Sequence, residues 1–202
     1  MKINILFNVI LFSVIGTFFL SYGELDPLQL QVDTGYLSGS LEASSSTDFD
    51  VDPSGFLIGV NLGPKSGSFV EVFGIYTTGD EGSLAAPVNL TLPGDFTSIG
   101  VYGGVGYRYP LSDKIDYKIS GGLGLNNLDA KGLNLLGNPT VDDSGTALVM
   151  YWQTSLSYQI NNKYSISLAY QYLGENDETT WTTGEKIDYS LSTVGFGIHR
   201  TL

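Results

Sequence analysis

The sequence predicts an all-β fold: a closed, eight-stranded, antiparallel, up-and-down transmembrane β-barrel. Three observations carry this expectation. Stretches such as "NKYSISLAYQYLG" (162–174) alternate apolar and polar residues with a period of two, as in a strand whose successive side chains leave opposite faces. Charged residues make up only 15% of the 202 residues, against about a quarter in soluble domains, while Gly (26) and Tyr (13) are abundant. Short turns and long connections alternate strictly, which is what a barrel with one tight-turn end and one long-loop end produces.

The N-terminus comes first. Lys2 precedes an apolar run from Ile3 to Leu20, interrupted by Asn4, Asn8, Ser13, Gly16 and Thr17. Ser21 and Gly23 then supply the small residues that a signal peptidase reads. The expected organisation is a cleaved signal peptide over residues 1–23 and a barrel over 24–202, with Glu24 as the mature start. An uncleaved anchor is the alternative, since the run is barely long enough to span a bilayer.

Eight strands follow. "LQLQVDTGYLSGSL" (28–41) sets Leu28, Leu30, Val32, Thr34 and Tyr36 against Gln29, Gln31, Asp33 and Gly35. "GFLIGVNLG" (55–63) sets Phe56, Ile58, Val60 and Leu62 against Gly59 and Asn61. "SFVEVFGIY" (68–76) places Val70, Val72 and Tyr76 opposite Glu71. "TSIGVYGGVGYRY" (97–109) aligns Ile99, Val101, Val105, Tyr107 and Tyr109, and "IDYKISGGLGL" (115–125) aligns Tyr117, Ile119, Leu123 and Leu125. "ALVMYWQTSLSYQI" (147–160) sets Trp152, Leu156, Tyr158 and Ile160 against Gln153, Ser155, Ser157 and Gln159. The stretch at 162–174 is the seventh strand. "DYSLSTVGFGIHRTL" (188–202) is the eighth, with Val194, Phe196 and Ile198 opposite Thr193, Gly195, Gly197 and His199.

Tight turns are expected at Pro64–Gly67, 110–114 and 161–163. Long loops are expected at about Glu42–Ser54, Thr77–Phe96, Asn126–Gly145 and Gly174–Ile187. These loops hold 14 of the 21 acidic residues, whereas six of the nine basic ones (Lys65, Arg108, Lys114, Lys118, Lys163, Arg200) lie at or near the tight turns. One rim is therefore acidic and the other mildly basic.

Periodicity alone does not say which face meets water. The polar faces here read "S-S-A-Q" and "Q-S-S-Q", small and uncharged, whereas soluble sheets coat themselves with charge. Small residues suit the inside of a narrow eight-stranded barrel. Tyr164, Tyr170 and Tyr172 flank Ile166 and Leu168, and an eight-residue span tilted by about 40° covers roughly 20 Å of membrane. Tyr107, Tyr109, Tyr117 and Tyr158 fall close to the tight turns, giving two aromatic girdles around an aliphatic band. Apolar side chains thus face lipid and small polar ones fill the axis. In hydrocarbon an open strand edge is too costly, so the first and last strands must pair.

With "SFVEVFGIY", the hairpin "YGGVGYRYPLSDKIDYKISGGLGL" (102–125) and the final "STVGFGIHRTL", the mature chain resembles the small eight-stranded outer-membrane β-barrel family that includes the OmpA membrane domain and the OmpX/Ail proteins. The resemblance implies residence in a Gram-negative outer membrane, with tight turns in the periplasm and long loops outside. It implies outer-membrane lipid, lipopolysaccharide and the barrel-assembly machinery as partners. Such barrels usually end in an aromatic residue that this machinery recognises, and here Leu202 stands in its place. No periplasmic domain follows the barrel, so peptidoglycan binding is not expected.

Several function classes drop out. A net charge of −12 repels nucleic acid, and no basic cluster interleaved with aromatics opposes it. The absence of cysteine removes disulfides, thiolate metal sites and acylation on Cys. "GGVGYR" and "GGLGLN" lack the following helix that phosphate binding needs. Gly104, Gly106, Gly122 and Gly124 are expected to face the lumen and make room for bulky residues opposite. "DFDVDPSG" (48–55) has Pro53 where an EF-hand needs glycine. It reads as a solvated acidic loop, with a divalent clamp to lipopolysaccharide as the alternative. The single histidine, His199, lies at the turn end, so no Ser–His pair can form at the outer rim and no catalysis is expected.

Four residues stand out. Glu71, Arg108 and Lys118 point inward near one end, and a Glu71–Arg108 ion pair with Lys118 nearby is expected to block the channel. Separate contacts with lumenal water are the alternative. Trp181 is the best single candidate for a loop contact. No cofactor or metal is expected. The expected role is structural or surface-interacting, through the long acidic loops. A narrow pore for small solutes is the first alternative, and a soluble lipocalin-like ligand-binding barrel is the second.

Overall fold

The computed structural model describes residues 27–44, 49–84, 90–133, 139–175, 179–180 and 186–202. The expected signal segment 1–23 and Trp181 lie outside them, as do Asp48, Asp177, Glu178 and Glu185. Every regular element among the described residues is a strand. These are β1 (Gln29–Ser44), β2 (Phe49–Val51), β3 (Ser54–Gly63), β4 (Gly67–Leu84), β5 (Leu90–Pro110), β6 (Ile115–Leu133), β7 (Pro139–Gln159), β8 (Tyr164–Glu175), β9 (Thr179–Thr180) and β10 (Lys186–Thr201).

The barrel wall has eight staves in the order β1-β3-β4-β5-β6-β7-β8-β10, each antiparallel to its neighbours, and it closes through β1–β10 pairing. The short β2 continues the line of β3 along β1, and Pro53, lacking an N–H, interrupts the ladder between them. Gly39 N still donates to the Pro53 carbonyl at 3.0 Å, so the wall has no gap there. At the turn end, Leu202 N donates to the Leu30 carbonyl at 2.9 Å and extends the closure to the last residue.

The stagger follows from the register. Direct partners run Gln31, Asn61, Glu71, Gly104, Gly122, Tyr151, Leu173, Leu191 and back to Leu41, ten residues along β1. With standard strand spacing this shear sets a strand tilt of about 40° and a backbone radius of about 8 Å. A cylinder that narrow holds its own side chains and little else.

The tight turns carry their own chemistry. Gly67 has φ 119°, a conformation that a side chain would strain, which explains its place at the end of "PKSG". Asn161 Oδ1 accepts from the backbone N–H groups of Lys163 (2.9 Å) and Tyr164 (3.0 Å), and Ser112 Oγ accepts from Ile115 N (3.2 Å).

The opposite end corrects the loop lengths read from the sequence. Residues 77–96 and 126–145 are mostly paired strand: β4 reaches Leu84 before β5 starts at Leu90, and β6 reaches Leu133 before β7 starts at Pro139. Above the apolar band these strands lose hydrophobic alternation and fill with Gly, Thr and Asp, so the period-two signal disappears although the backbone ladder continues. The wall thus projects beyond the barrel as long hairpins.

The faces sort as lipid-facing barrels require. Ile166 is 47% exposed, Leu168 48% and Phe196 71%, on the outside of the cylinder. Trp152 packs with Tyr170 and Tyr172 in one outer aromatic cluster, and Tyr107, Tyr109 and Tyr117 form another near the turns.

Candidate functional site

The lumen is built from the inward-facing set, and it has two halves. Small polar side chains dominate the half nearer the tight turns, where Ser120, Ser155, Ser157 and Ser167 are buried. Toward the loops the axis is mainly apolar: Leu37, Leu41, Phe73, Ile75, Tyr102, Val149, Tyr151, Leu173 and Leu191 form one buried cluster, with Thr77, Ser98, Asn126 and Thr193 buried among them. The expectation of a wholly small, polar interior is corrected accordingly. Inward positions change character along β4, as in "VEVFGIY", where both faces become apolar from Val72 to Tyr76.

Between the halves stands an aromatic partition. The Phe73 and Tyr102 rings stack at 5.1 Å, and Tyr151 meets Phe73 edge-on at 4.8 Å. Glycines on β5 and β6 make the space. A Cβ at Gly104 or Gly122 would overlap Tyr151, one at Gly124 would overlap Tyr102, and one at Gly106 would overlap Phe69. Those four glycines therefore serve packing.

The turn half holds a connected polar network drawn from five staves. His199 Nδ1 on β10 lies 2.5 Å from Asp33 Oδ1 on β1, its direct register partner. Asn61 on β3 donates from Nδ2 to Asp33 Oδ2 at 2.7 Å. Arg108 on β5 donates from Nη2 to Asn61 Oδ1 and Gln31 Oε1, both at 2.9 Å, and from Nη1 to the Pro64 carbonyl at 3.0 Å. Its guanidinium also lies 5.6 Å from the centre of the Phe69 ring. Lys118 on β6 donates to the same Gln31 oxygen at 3.0 Å.

Glu71 is bonded elsewhere. Its carboxylate accepts from the Tyr151 hydroxyl at 2.8 Å and from Ser120. The expected Glu71–Arg108 ion pair is therefore replaced by separate protein partners. Arg108 stands in register with Gly67, four residues from Glu71, and that offset takes it to the turn-end layer. Lys118 lies among both sets, within the fields of Asp33, Arg108, Glu71 and Asp116.

A cavity of about 40 Å³ lies beside the network, lined by Asp33, Glu71, Lys118, Ser167, Gln171 and His199 among others. That volume suits about three waters. Its walls carry both charge signs, so the space is polar without favouring an anion or a cation. Among the described residues no group of His, Asp and Glu side chains is placed to hold a metal ion.

Sequence reasoning missed Gln31, Asp33, Asn61, Tyr151 and His199 as members of one assembly. Their inward parity was readable. The register that sets Asp33 beside His199 was not.

The comparisons with known proteins agree on architecture. No protein-family model matches the chain, and no curated protein does. Solved structures of small outer-membrane barrels do. Neisserial surface protein A aligns with a TM-score of 0.57 at 15% identity, covering 87% of this chain and 99% of that one. OprG from Pseudomonas aeruginosa aligns at 0.57 and 11% identity, covering 89% and 98%. Ail of Yersinia pestis, in complex with the heparin analogue sucrose octasulfate, aligns at 0.54 and 15% identity, covering 87% and 99%. At such identities the likeness shows the fold: this chain has the closed eight-stranded architecture of those transmembrane barrels.

Proposed function

We propose that this chain is an exported, integral outer-membrane protein that acts as a non-conducting scaffold and holds acidic hairpins at the outer surface. The buried partition of Phe73, Tyr102 and Tyr151, with the apolar cluster beyond it, carries the reading. Ions entering from the turn side meet a packed, largely aromatic layer, and desolvating them there is costly. Reconstituted into planar bilayers, the protein is expected to give no stable single-channel steps. Steady steps would replace the scaffold by the narrow pore, which the polar cavity in the turn half favours.

The exterior band of exposed aliphatic residues supports a lipid surround and disfavours the soluble ligand-binding alternative, which would extract into buffer without detergent. The outer-membrane proteins whose fold this chain shares support that membrane, with its lipopolysaccharide and assembly machinery, as the setting. Export through cleavage after Gly23 belongs to the same proposal. The intact mass of the membrane-extracted protein should match a chain starting at Glu24, and a retained 1–23 segment would leave an anchored form instead.

Binding of a sulfated polyanion, as in the Ail complex, does not transfer readily, because the loop-end connections concentrate acidic residues. Trp181 is our candidate for a loop contact. The reading includes no catalytic step, since His199 is committed to Asp33 at the turn end.

A further inference from the structure

The geometry points to an uneven lipid belt: acyl chains of the loop-side leaflet cover Leu125 and Leu148, at a height where the opposite wall is already in water. This inference rests on the membrane reading above.

Height follows from the stagger. The ladder climbs ten residues in a circuit of eight staves, so a level ring falls back about 1.25 residues per stave relative to register partners. The partners of Ser38 run Ser54, Thr78, Thr97 and Asp129, four staves on. Falling back about five residues from Asp129 reaches position 124, beside Leu125. Leu125 pairs directly with Val101 on one side and Leu148 on the other.

At this level the two walls differ. On β1, Ser38, Ser40 and Glu42 are exposed. On β5, β6 and β7 the exposed residues are Ile99, Leu125, Leu148 and Met150, and Leu125 is 60% accessible. Above Leu148 the next outward residue on β7 is the polar Thr146, about four residues higher than Ser38, or about 10 Å along the axis. The turn-end boundary stays level, with Leu30, Tyr109, Tyr117, Tyr158 and Tyr164 within about two residues of one height. Tilting the whole barrel therefore does not account for the difference. The belt is a wedge, and the uncharged row Val101–Leu125–Leu148 continues the lipid surface below it without a break. An aliphatic strip of this kind left in water is unfavourable, and a bilayer adapts its local thickness more readily.

The chain has no native cysteine, so single labels are clean. Ser38→Cys, Ser40→Cys, Leu125→Cys, Leu148→Cys and Ile166→Cys, each on the full chain and each checked for folding by its heat-modifiable gel shift, would carry a nitroxide in phosphatidylcholine bilayers. Collision with dissolved oxygen and with a water-borne nickel chelate is then read. Labels at 125 and 148 should match 166, with nickel collision at least about tenfold below that at 38 and 40. Nickel access at 125 and 148 equal to that at 38 and 40, with 166 still in lipid, would overturn the wedge alone. Low collision with both reagents at 125 and 148 would mean a protein cover and would also overturn it. Nickel access at 166 would instead remove the membrane reading itself.

Discussion

Replacing Asp33 with alanine is expected to lower the unfolding free energy by about 3–5 kcal/mol, the usual cost of removing one partner from a buried charge pair. Asp33 accepts from His199 and Asn61, and Asn61 in turn orients Arg108. Without the carboxylate, the negative charges left near Arg108 and Lys118 are Glu71, which is held by Tyr151, and Asp116. The penalty lies in the charge left behind more than in the bonds lost. Asp33→Asn, which keeps the shape and loses the charge, should fall between the alanine variant and the parent. Urea titration in detergent, read by the heat-modifiable gel shift, measures all three. A midpoint for Asp33→Ala equal to the parent's would show that the network contributes nothing to stability.

The second large effect concerns a glycine. Gly122→Val is expected to abolish the compact, heat-resistant form altogether. A Cβ at Gly122 would lie 2.6 Å from Gly104 Cα and 2.8 Å from Tyr151 Cε1, and would overlap the Gly103 carbonyl oxygen as well. Two of these three neighbours are backbone of the paired strand, so no rotamer relieves the clash. The cost should exceed the about 1–3 kcal/mol typical of overpacking. Gly103→Val is the matched control. Its added Cβ has nothing nearer than the Glu71 carbonyl oxygen at 3.8 Å, so it should fold normally. Equal folding yields for the two variants would contradict the packing account of the glycine pair.

These two sites also show how far the sequence could be read. The facing of Gly104 and Gly122 is visible in the alternation of "GGVGYRY" and "ISGGLGL", because a period of two assigns every inward position once one is known. The same parity puts Asp33, Glu71, Arg108, Lys118 and His199 inside. Partnership is a different matter. It depends on register, which short turns fix locally between β5 and β6 but which accumulates around the circuit. Glu71 and Arg108 are inward on neighbouring staves, yet their four-residue offset gives the glutamate to Tyr151 and the arginine to Asn61 and Gln31. Strand ends were hidden for a related reason. Beyond lipid the outer face no longer needs aliphatic residues, so the hairpins around Leu84 and Leu133 carry no hydrophobic period. The apolar half of the lumen was hidden because Phe73, Ile75 and Tyr102 sit among lipid-facing residues just as greasy.

Closure joins the first stave to the last, pairing Gln31 with Thr201 and Asp33 with His199. Nothing synthesised earlier can substitute for β10, so the chain must emerge whole before its two free edges can meet. Until then each edge is a template for any passing strand, and the charges destined for the interior have no counterpart. Maturation is thus governed by a ring closure over nearly the full polymer length, the slowest kind of contact to form. The period before it is when the unpaired edges are most exposed.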